Sequence, residues 1–311
     1  MAKRQKNRHV TVAFNYLAKV VENPQDPKNP IEIGFSEAEF QKVINRLTNI
    51  TPLDDSNEEV VAAIKSGQTL PFLAYDEIEE GLHFGDFEGA YYGQRFRNNR
   101  VGDISADDLN LRRFHYLITR LRDGKIMIGV SYHGQFGAYS DLRSVLSSLL
   151  RGDYKIASKT LRSLRAEIGD GTPVELRLAY RRAPGRVEHR SVFDSSGAIA
   201  VRRADYGDGF EGEVRDIAGR LHGDNQQRKS TIAEIVNQSQ MLDINEDDII
   251  GCSAIVTRNG RRNTVYFLGE NNYSTKFPIN VDVNAEGMAN RGQVSREMVR
   301  VLRDEILPMF T

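Results

Sequence analysis

The alternation of apolar and polar positions predicts the elements of the first half of the chain. Every second residue over 10–16 is apolar or aromatic, which is typical of a half-buried strand. Ser36 and Glu39 match the capping box that begins a helix, and the spacing of the apolar residues after them favours one apolar helix face. A second short helix is predicted over 58–66 and a short strand over 70–75.

A hairpin and a third helix complete the predicted N-terminal domain. Residues 114–121 and 125–132 have strand character, and the Asp-Gly pair between them is the preferred chemistry of a tight turn. Asp141 is expected to cap a helix that continues to Leu149. The order strand, helix, helix, strands, helix is typical of an α+β domain, which we expect to cover residues 1–152.

The second half of the chain predicts another α+β domain over residues 153–311. Its first apolar residues lie on one side of a helical wheel, so a helix is predicted over 153–168. Residues 174–180 and 186–193 predict a hairpin that turns at an Ala-Pro-Gly sequence. The segment 203–223 is rich in Gly and Asp and is expected to be irregular.

The end of the chain predicts two helices and one more hairpin. A second capping-box pattern predicts a helix over 231–241. Residues 249–257 and 263–268 flank an Asn-Gly pair and predict a hairpin. A closing amphipathic helix over 295–307 follows, so that this hairpin and helix span 249–310. The whole chain is therefore predicted as an α+β fold, with mixed or antiparallel sheets built from hairpins and with amphipathic helices on one face.

Positive charge is concentrated in one segment of a chain that is nearly neutral. Residues 151–203 contain twelve lysine and arginine residues against six acidic residues, whereas the net charge of all 311 residues is −1. Cations gathered in this way usually face a polyanion. They fall on the polar face of the predicted helix and on outward positions of the predicted hairpin, which together cover 153–203. The predicted nucleic-acid-binding residues are Lys155, Lys159, Arg162, Arg181, Arg182, Arg186 and Arg190.

The leading functional prediction is a nucleic-acid-binding protein without enzymatic activity, with DNA favoured over RNA. The sequence has no helix-turn-helix, zinc-finger or RNA-recognition motif, so phosphate contacts with little sequence preference are expected. No catalytic, cofactor-binding or metal-binding residue is predicted. The absence of a signal-peptide pattern and of a long apolar run predicts a cytoplasmic protein with no membrane insertion. Cys252 is the only cysteine, and its apolar neighbours predict a buried, inert thiol.

The sequence is also compatible with two other functions. A metal-dependent nuclease would need carboxylates that converge only in the fold; Glu175 beside Arg177 is the nearest local pattern, and a surface ion pair is its simpler interpretation. A subunit of a protein complex would dock its partner through two stretches rich in Gly and aromatic residues, 83–93 and 132–139. The simpler interpretation of these stretches is tight turns packed against the core.

The order of segments from Gly124 onward resembles that of the RexA family of phage exclusion proteins. The similarity is carried by residues 124–132, by residues 136–146 and by the ending over 249–310, and it covers less than half of the chain. Related architecture is known in the RdgC-like recombination proteins. The resemblance implies a cytoplasmic homodimer that binds DNA with little sequence preference in bacterial antiphage defence. It assigns no individual functional residue.

Overall fold

The computed structural model describes residues 9–24, 30–181, 196–223, 225–238, 244–268 and 275–310. The chain divides into two units. The first comprises Met1–Leu161 and Lys276–Asp304, and the second comprises Arg162–Thr275 and Glu305–Thr311. This division differs from the predicted boundary at residue 152, because the chain returns to the first unit near its C-terminus.

The described residues contain fourteen strands and eight α-helices, numbered in chain order. The strands are β1 (Val10–Val21), β2 (Ile31–Ile33), β3 (Phe72–Glu79), β4 (Leu82–Tyr91), β5 (Phe96–Asn98), β6 (Gly102–Ile104), β7 (Asn110–Arg120), β8 (Ile126–His133), β9 (Lys155–Thr160), β10 (Thr172–Arg181), β11 (Ser196–Arg202), β12 (Ile249–Arg258), β13 (Arg261–Tyr266) and β14 (Phe277–Ile279). The helices are α1 (Glu37–Thr48), α2 (Glu58–Lys65), α3 (Tyr139–Leu149), α4 (Leu164–Ile168), α5 (Arg203–Tyr206), α6 (Phe210–Arg220), α7 (Asn225–Gln238) and α8 (Arg291–Val301).

The first unit is built on a sheet with the strand order β14-β1-β8-β7-β4-β3, in which β2 and β9 also pair with β1. Each of these strand pairs is antiparallel. The apolar stripes of α1 and α3 are fully buried in the main core, with Val43 and Leu47 from α1 and Leu142 and Leu146 from α3. Helix α8 packs against β7 and buries Met298 completely.

Three local predictions are confirmed by cap and turn geometry. The Ser36 hydroxyl accepts a hydrogen bond from the Glu39 N–H at 3.3 Å, and the Glu39 carboxylate accepts one from the Ser36 N–H at 2.7 Å. The β7–β8 hairpin turns at Gly124, whose φ is 82°. The β12–β13 hairpin turns at Asn259 and Gly260, with φ values of 51° and 73°. These left-handed conformations explain why Asp-Gly and Asn-Gly mark both turns.

The predicted helix over 153–168 is wrong. Lys155–Thr160 forms the strand β9 instead, which pairs antiparallel with β1. Helix α4 begins only at Leu164, where the Ser163 hydroxyl accepts a hydrogen bond from the Ala166 N–H at 3.2 Å. Because the β9 pairing supplies backbone partners for an edge of β1, tertiary hydrogen bonds outweigh the helical spacing of the apolar residues.

Two predictions for the following segments are also wrong. The segment 203–223 is not irregular, because it contains α5 and α6. Helix α7 begins at Asn225, so Thr231 and Glu234 lie inside the helix rather than at its cap. The Thr231 hydroxyl donates a hydrogen bond to the Gln227 carbonyl, one turn earlier in the helix, at 3.1 Å. It therefore does not act as an N-cap acceptor.

Two other helices begin differently from the prediction. Asp141 lies in the first turn of α3 and accepts a hydrogen bond from the Ala90 N–H at 3.1 Å, so it joins the helix to β4 instead of capping it. The closing helix α8 begins at Arg291 rather than at residue 295. Its cap is Asn290, whose side chain accepts a hydrogen bond from the Gln293 N–H at 3.0 Å.

The second unit is a four-stranded sheet with the order β11-β10-β12-β13. Apolar residues of α4, α6 and α7, including Ile168, Phe210 and Ile232, form one buried cluster with Leu178 and Cys252 of the sheet. These helices therefore cover one face of the sheet. All three strand pairs of this sheet are antiparallel. The predicted α+β fold with antiparallel sheets is therefore confirmed.

Candidate nucleic-acid interface

The second face of the β11-β10-β12-β13 sheet points away from the helical core. Adjacent residues of a strand point to opposite faces, so the positions between the core residues share this face. The register places Arg177 beside Ala200 and Ser253, and it places Ser253 beside Tyr266. We call this surface the open sheet face, and its described members are Glu175, Arg177, Ala179, Arg181, Ser196, Ala198, Ala200, Arg202, Gly251, Ser253, Ile255, Thr257, Arg262, Thr264 and Tyr266.

The open sheet face carries four arginines and one acidic residue. Arg177 and Arg202 both form ion pairs with the Glu175 carboxylate, and Arg202 Nε lies 3.5 Å from its Oε2. The hydrogen bond from Arg177 holds the pKa of Glu175 below its usual value, so this carboxylate is ionised at neutral pH. Within the described part of the chain, Arg181 and Arg262 have no ion-pair partner. The described members of the face therefore carry a net charge of +3.

The arginine side chains of this face are accessible. The exposed fraction is 56% for the Arg177 side chain and 66% for the Arg202 side chain, and Tyr266 is 51% exposed. Ala198 and Ala200 lie on the same face, and their short side chains leave the backbone of the sheet accessible between the arginines. A phosphate can approach such a surface closely, and a guanidinium donates two hydrogen bonds in the geometry that a phosphate accepts.

Of the predicted binding residues, Arg181 is placed on the open sheet face. The residues of the predicted set that lie outside the described residues are Arg182, Arg186 and Arg190. Arg162 has a different role: its side chain is 9% exposed, and its Nε and Nη2 each lie 2.7 Å from an oxygen of the Glu167 carboxylate. Because this guanidinium is buried and already binds a carboxylate at two points, it is not placed to contact a phosphate.

Lys155 and Lys159 lie in the first unit, on β9, whereas Arg162 belongs to the second unit. The polar helix face that was predicted to hold all three residues therefore does not exist. Residues four apart in a strand share one side, so the two lysines point the same way. Lys159 Nζ lies 3.2 Å from Glu32 Oε1, and this ion pair offsets part of the positive charge of β9.

Four members of the open sheet face are absent from the predicted binding set: Arg177, Arg202, Arg262 and Tyr266. Arg177 lies on the strand predicted over 174–180 and Arg181 follows it directly, so their spacing of four residues could have placed both side chains on one face. Arg262 follows the Asn-Gly turn by two residues and directly precedes the hairpin strand predicted over 263–268. Placing these arginines on one surface requires the order and register of the strands, and the residue spacing within a single strand does not determine either.

The residues considered for metal or thiol chemistry have structural roles. In the described part of the chain, no group of three or more His, Cys, Asp or Glu side chains is arranged to hold a metal ion. Glu175 and Arg177 form the surface ion pair that the sequence favoured. Cys252 is 6% exposed, and burial raises the pKa of its thiol to about 12, which keeps the sulfur protonated and unreactive at neutral pH.

Of the two stretches rich in Gly and aromatic residues, the second contains a tight turn and the first does not. The His133 N–H donates a hydrogen bond to the Phe136 carbonyl at 2.9 Å, and Gly134 between them has a φ of 64°. Residues 83–93 form most of β4, and residues 132–139 run from the end of β8 into α3. The two stretches meet, because the ring centres of Tyr91 and Phe136 are 5.9 Å apart and the Tyr91 hydroxyl donates a hydrogen bond to the Gly137 carbonyl at 3.2 Å. Phe136 lines a cleft of the first unit.

Comparison with known proteins gives no neighbour for this fold or this interface. No family model matches the chain, and no curated protein or solved structure matches it significantly. The resemblance to the RexA and RdgC-like families therefore stays a prediction. None of the helices in the described residues is both long enough and apolar enough to cross a membrane.

Proposed function

We propose that the protein binds nucleic acid through the open sheet face, with little dependence on base sequence and with DNA favoured over RNA. The observation that carries this proposal is a net charge of +3 on an exposed sheet surface, where Arg181 and Arg262 have no ion-pair partner among the described residues. Such cations bind phosphates mainly by releasing the counterions condensed on the nucleic acid. In a chain whose net charge is −1, a local positive surface favours a polyanionic partner over a neutral one.

The side chains of the face support contacts to the backbone of the nucleic acid. Arginine donates hydrogen bonds to phosphates regardless of the base that follows, so these contacts position a strand without selecting its sequence. Tyr266 adds an exposed aromatic ring, which can stack on an unpaired base of any type. We therefore expect single-stranded DNA to bind in addition to duplex DNA.

A titration of the wild-type protein with fluorescently labelled DNA of unrelated sequences tests this function. If four arginines each contact one phosphate, the affinity is expected to fall about 100-fold between about 50 and 200 mM salt, and to differ little between sequences. RNA of matched length, titrated in parallel, tests the preference for DNA, which tighter RNA binding would reverse. Failure to bind any of these nucleic acids at low salt would remove the proposal.

The biological setting of the proposal rests on the sequence alone. The resemblance to the RexA family supports a homodimer that acts in bacterial antiphage defence. The single cysteine and the ordinary globular composition support a cytoplasmic location. These three statements are independent of the open sheet face, and a monomeric protein with the same surface would still bind DNA.

A further inference from the structure

The strand β11 lies at one edge of the sheet of the second unit. It pairs with β10 on one side, and within the described part of the chain no strand pairs with its other side. The outer side of an edge strand presents backbone N–H and C=O groups that can pair with a strand of another molecule. This edge is therefore open to the addition of a strand.

Every second residue of β11 directs its backbone groups toward this outer side. The Phe267 N–H donates a hydrogen bond to the Cys252 carbonyl at 2.8 Å, so the even-numbered residues of β12 bond to β13 and its odd-numbered residues bond to β10. The register then directs the even-numbered residues of β10 toward β11 and the odd-numbered residues of β11 toward β10. The residues whose backbone groups face outward are Ser196, Ala198, Ala200 and Arg202.

The sequence of β11 lacks the features that usually prevent edge strands from pairing. Charged side chains and proline at an edge oppose the addition of another strand. Residues 196–201 contain neither. The strand at the opposite edge of the same sheet, β13, begins with Arg261 and Arg262 and is protected in this way. Of the two edges, β11 is therefore the one suited to pairing.

The side chains of β11 are complementary to those of a second copy of the same strand. An antiparallel pairing centred on Ile199 places the two Ile199 side chains opposite each other, and each is half-buried against the core of its own unit. The same register places Ala198 opposite Ala200 and Ser196 opposite Arg202, so no like charges face each other directly. These outer pairs are of the hydrogen-bonded type, because the backbone groups of all four residues face outward.

We propose that two copies of the protein associate through β11, in an antiparallel pair centred on Ile199. A second copy fits this edge better than an unrelated strand, because the pairing covers the exposed part of each Ile199 with an identical apolar side chain. The two sheets of four strands then form one sheet of eight.

This association extends the surface that is proposed to bind nucleic acid. A two-fold axis between antiparallel strands of one sheet is perpendicular to that sheet, so both open sheet faces lie on the same side. The second copy therefore adds its own arginines next to those of the first. The pairing of β11 does not depend on the proposed function, whereas the role of the joined faces rests on it.

Disulfide cross-linking of the full chain tests the register. Ile199→Cys is expected to link two copies under mild oxidation, because the Cα atoms of a directly opposed pair without hydrogen bonds lie about 4.5 Å apart, within the range of a disulfide. Val201→Cys is the matched control, since Val201 lies on the same strand and the same face, outside the open sheet face. Its Cα atom is expected about 14 Å from its counterpart, too far for a disulfide. Cys252 is buried and is expected to stay unreactive in both variants.

Analytical ultracentrifugation of the wild-type protein without nucleic acid measures the association itself. A species with twice the mass of the chain is expected to increase with protein concentration. Ala198→Pro is expected to weaken this association about tenfold or more, because proline removes an outward N–H from each copy and leaves the hydrogen bonds to β10 in place. Circular dichroism shows whether this variant folds, and the cysteine pair decides the question if it does not.

Three results would overturn the proposal. They are a wild-type protein that stays monomeric up to its solubility limit, equal cross-linking of Ile199→Cys and Val201→Cys, and a folded Ala198→Pro variant that associates as the wild type does. None of these measurements contains DNA, so their failure leaves the proposed binding of nucleic acid standing. Loss of DNA binding with intact cross-linking would remove the proposed function and leave the association through β11 in place.

Discussion

Replacing Arg177, Arg181 and Arg202 together with alanine is expected to abolish most of the affinity for DNA at low salt. If each guanidinium contacts one phosphate, the slope of log affinity against log salt concentration falls by about 0.9 for each lost contact, so by about 2.7 for the triple variant. The affinity itself is expected to fall at least about 100-fold at roughly 50 mM salt. The loss is expected to be the same for unrelated sequences, because phosphates carry no sequence information.

The matched control for this variant removes the same charge from the first unit. Arg100, Arg122 and Arg143 are exposed there, and no ion pair is seen for them among the described residues. Their triple alanine variant is expected to keep a salt slope close to that of the wild type. Equal losses in the two triple variants would mean that net charge, rather than the open sheet face, governs binding.

Replacing Asp86 with alanine is expected to destabilise the first unit by about 3 kcal/mol, because it leaves the buried His115 ring and the partly exposed Arg291 guanidinium without their shared acceptor. Asp86 is 4% exposed and accepts hydrogen bonds from His115 and Arg291. Asp76 is the control, since its side chain is 52% exposed and its ion pair with Arg291 is worth at most about 1 kcal/mol.

Urea denaturation measures this difference. The chain contains no tryptophan, so near-ultraviolet circular dichroism of its tyrosines reports the loss of packing. Hydrogen exchange analysed by peptide then assigns the destabilisation to the first unit. Equal losses of unfolding free energy in Asp86→Ala and Asp76→Ala would mean that the hydrogen bonds of buried Asp86 do not stabilise the first unit more than the exposed ion pair of Asp76 does.

The same network sets an expected dependence on pH. Burial alone would raise the pKa of Asp86, but the hydrogen bond from His115 and the charges of His115 and Arg291 outweigh burial and hold it below its usual value. The stability that Asp86 contributes is therefore present above about pH 4, the value of an unfolded aspartate, and is lost as the pH falls through its folded pKa. Asp86→Asn is expected to lack this acid-dependent part of the unfolding free energy.

Local chemistry allowed much of the fold to be predicted. The capping box at Ser36 and the turns at Gly124 and Gly260 each depend on residues within a few positions of one another, and the structure confirms all three. The prediction of a helix over 153–168 is wrong because the structure of this segment depends on residues that are distant in sequence. Its apolar spacing is compatible with a helix, but an edge of β1 that lies more than 130 residues earlier in the chain supplies the hydrogen bonds that make Lys155–Thr160 a strand.

The candidate interface was predictable only in part. An excess of arginine in the middle of the chain pointed to a binding segment, and Arg181 lies on the open sheet face. Arg202 and Arg262 join it through strands that are distant in sequence, so their place depends on register. Arg162 does not belong to the candidate interface, because its guanidinium is buried against the carboxylate of Glu167 on the short helix that follows.

Photochemical cross-linking measures directly where nucleic acid meets the protein. Single-stranded DNA that contains iododeoxyuridine is bound to the wild-type protein at low salt and irradiated, and the cross-linked peptides are identified by mass spectrometry. Tyr266 is expected to be a principal site, because its ring is exposed on the open sheet face beside the arginines. Cross-links confined to peptides of the first unit, with none on β10 to β13, would contradict the assignment of DNA binding to this surface.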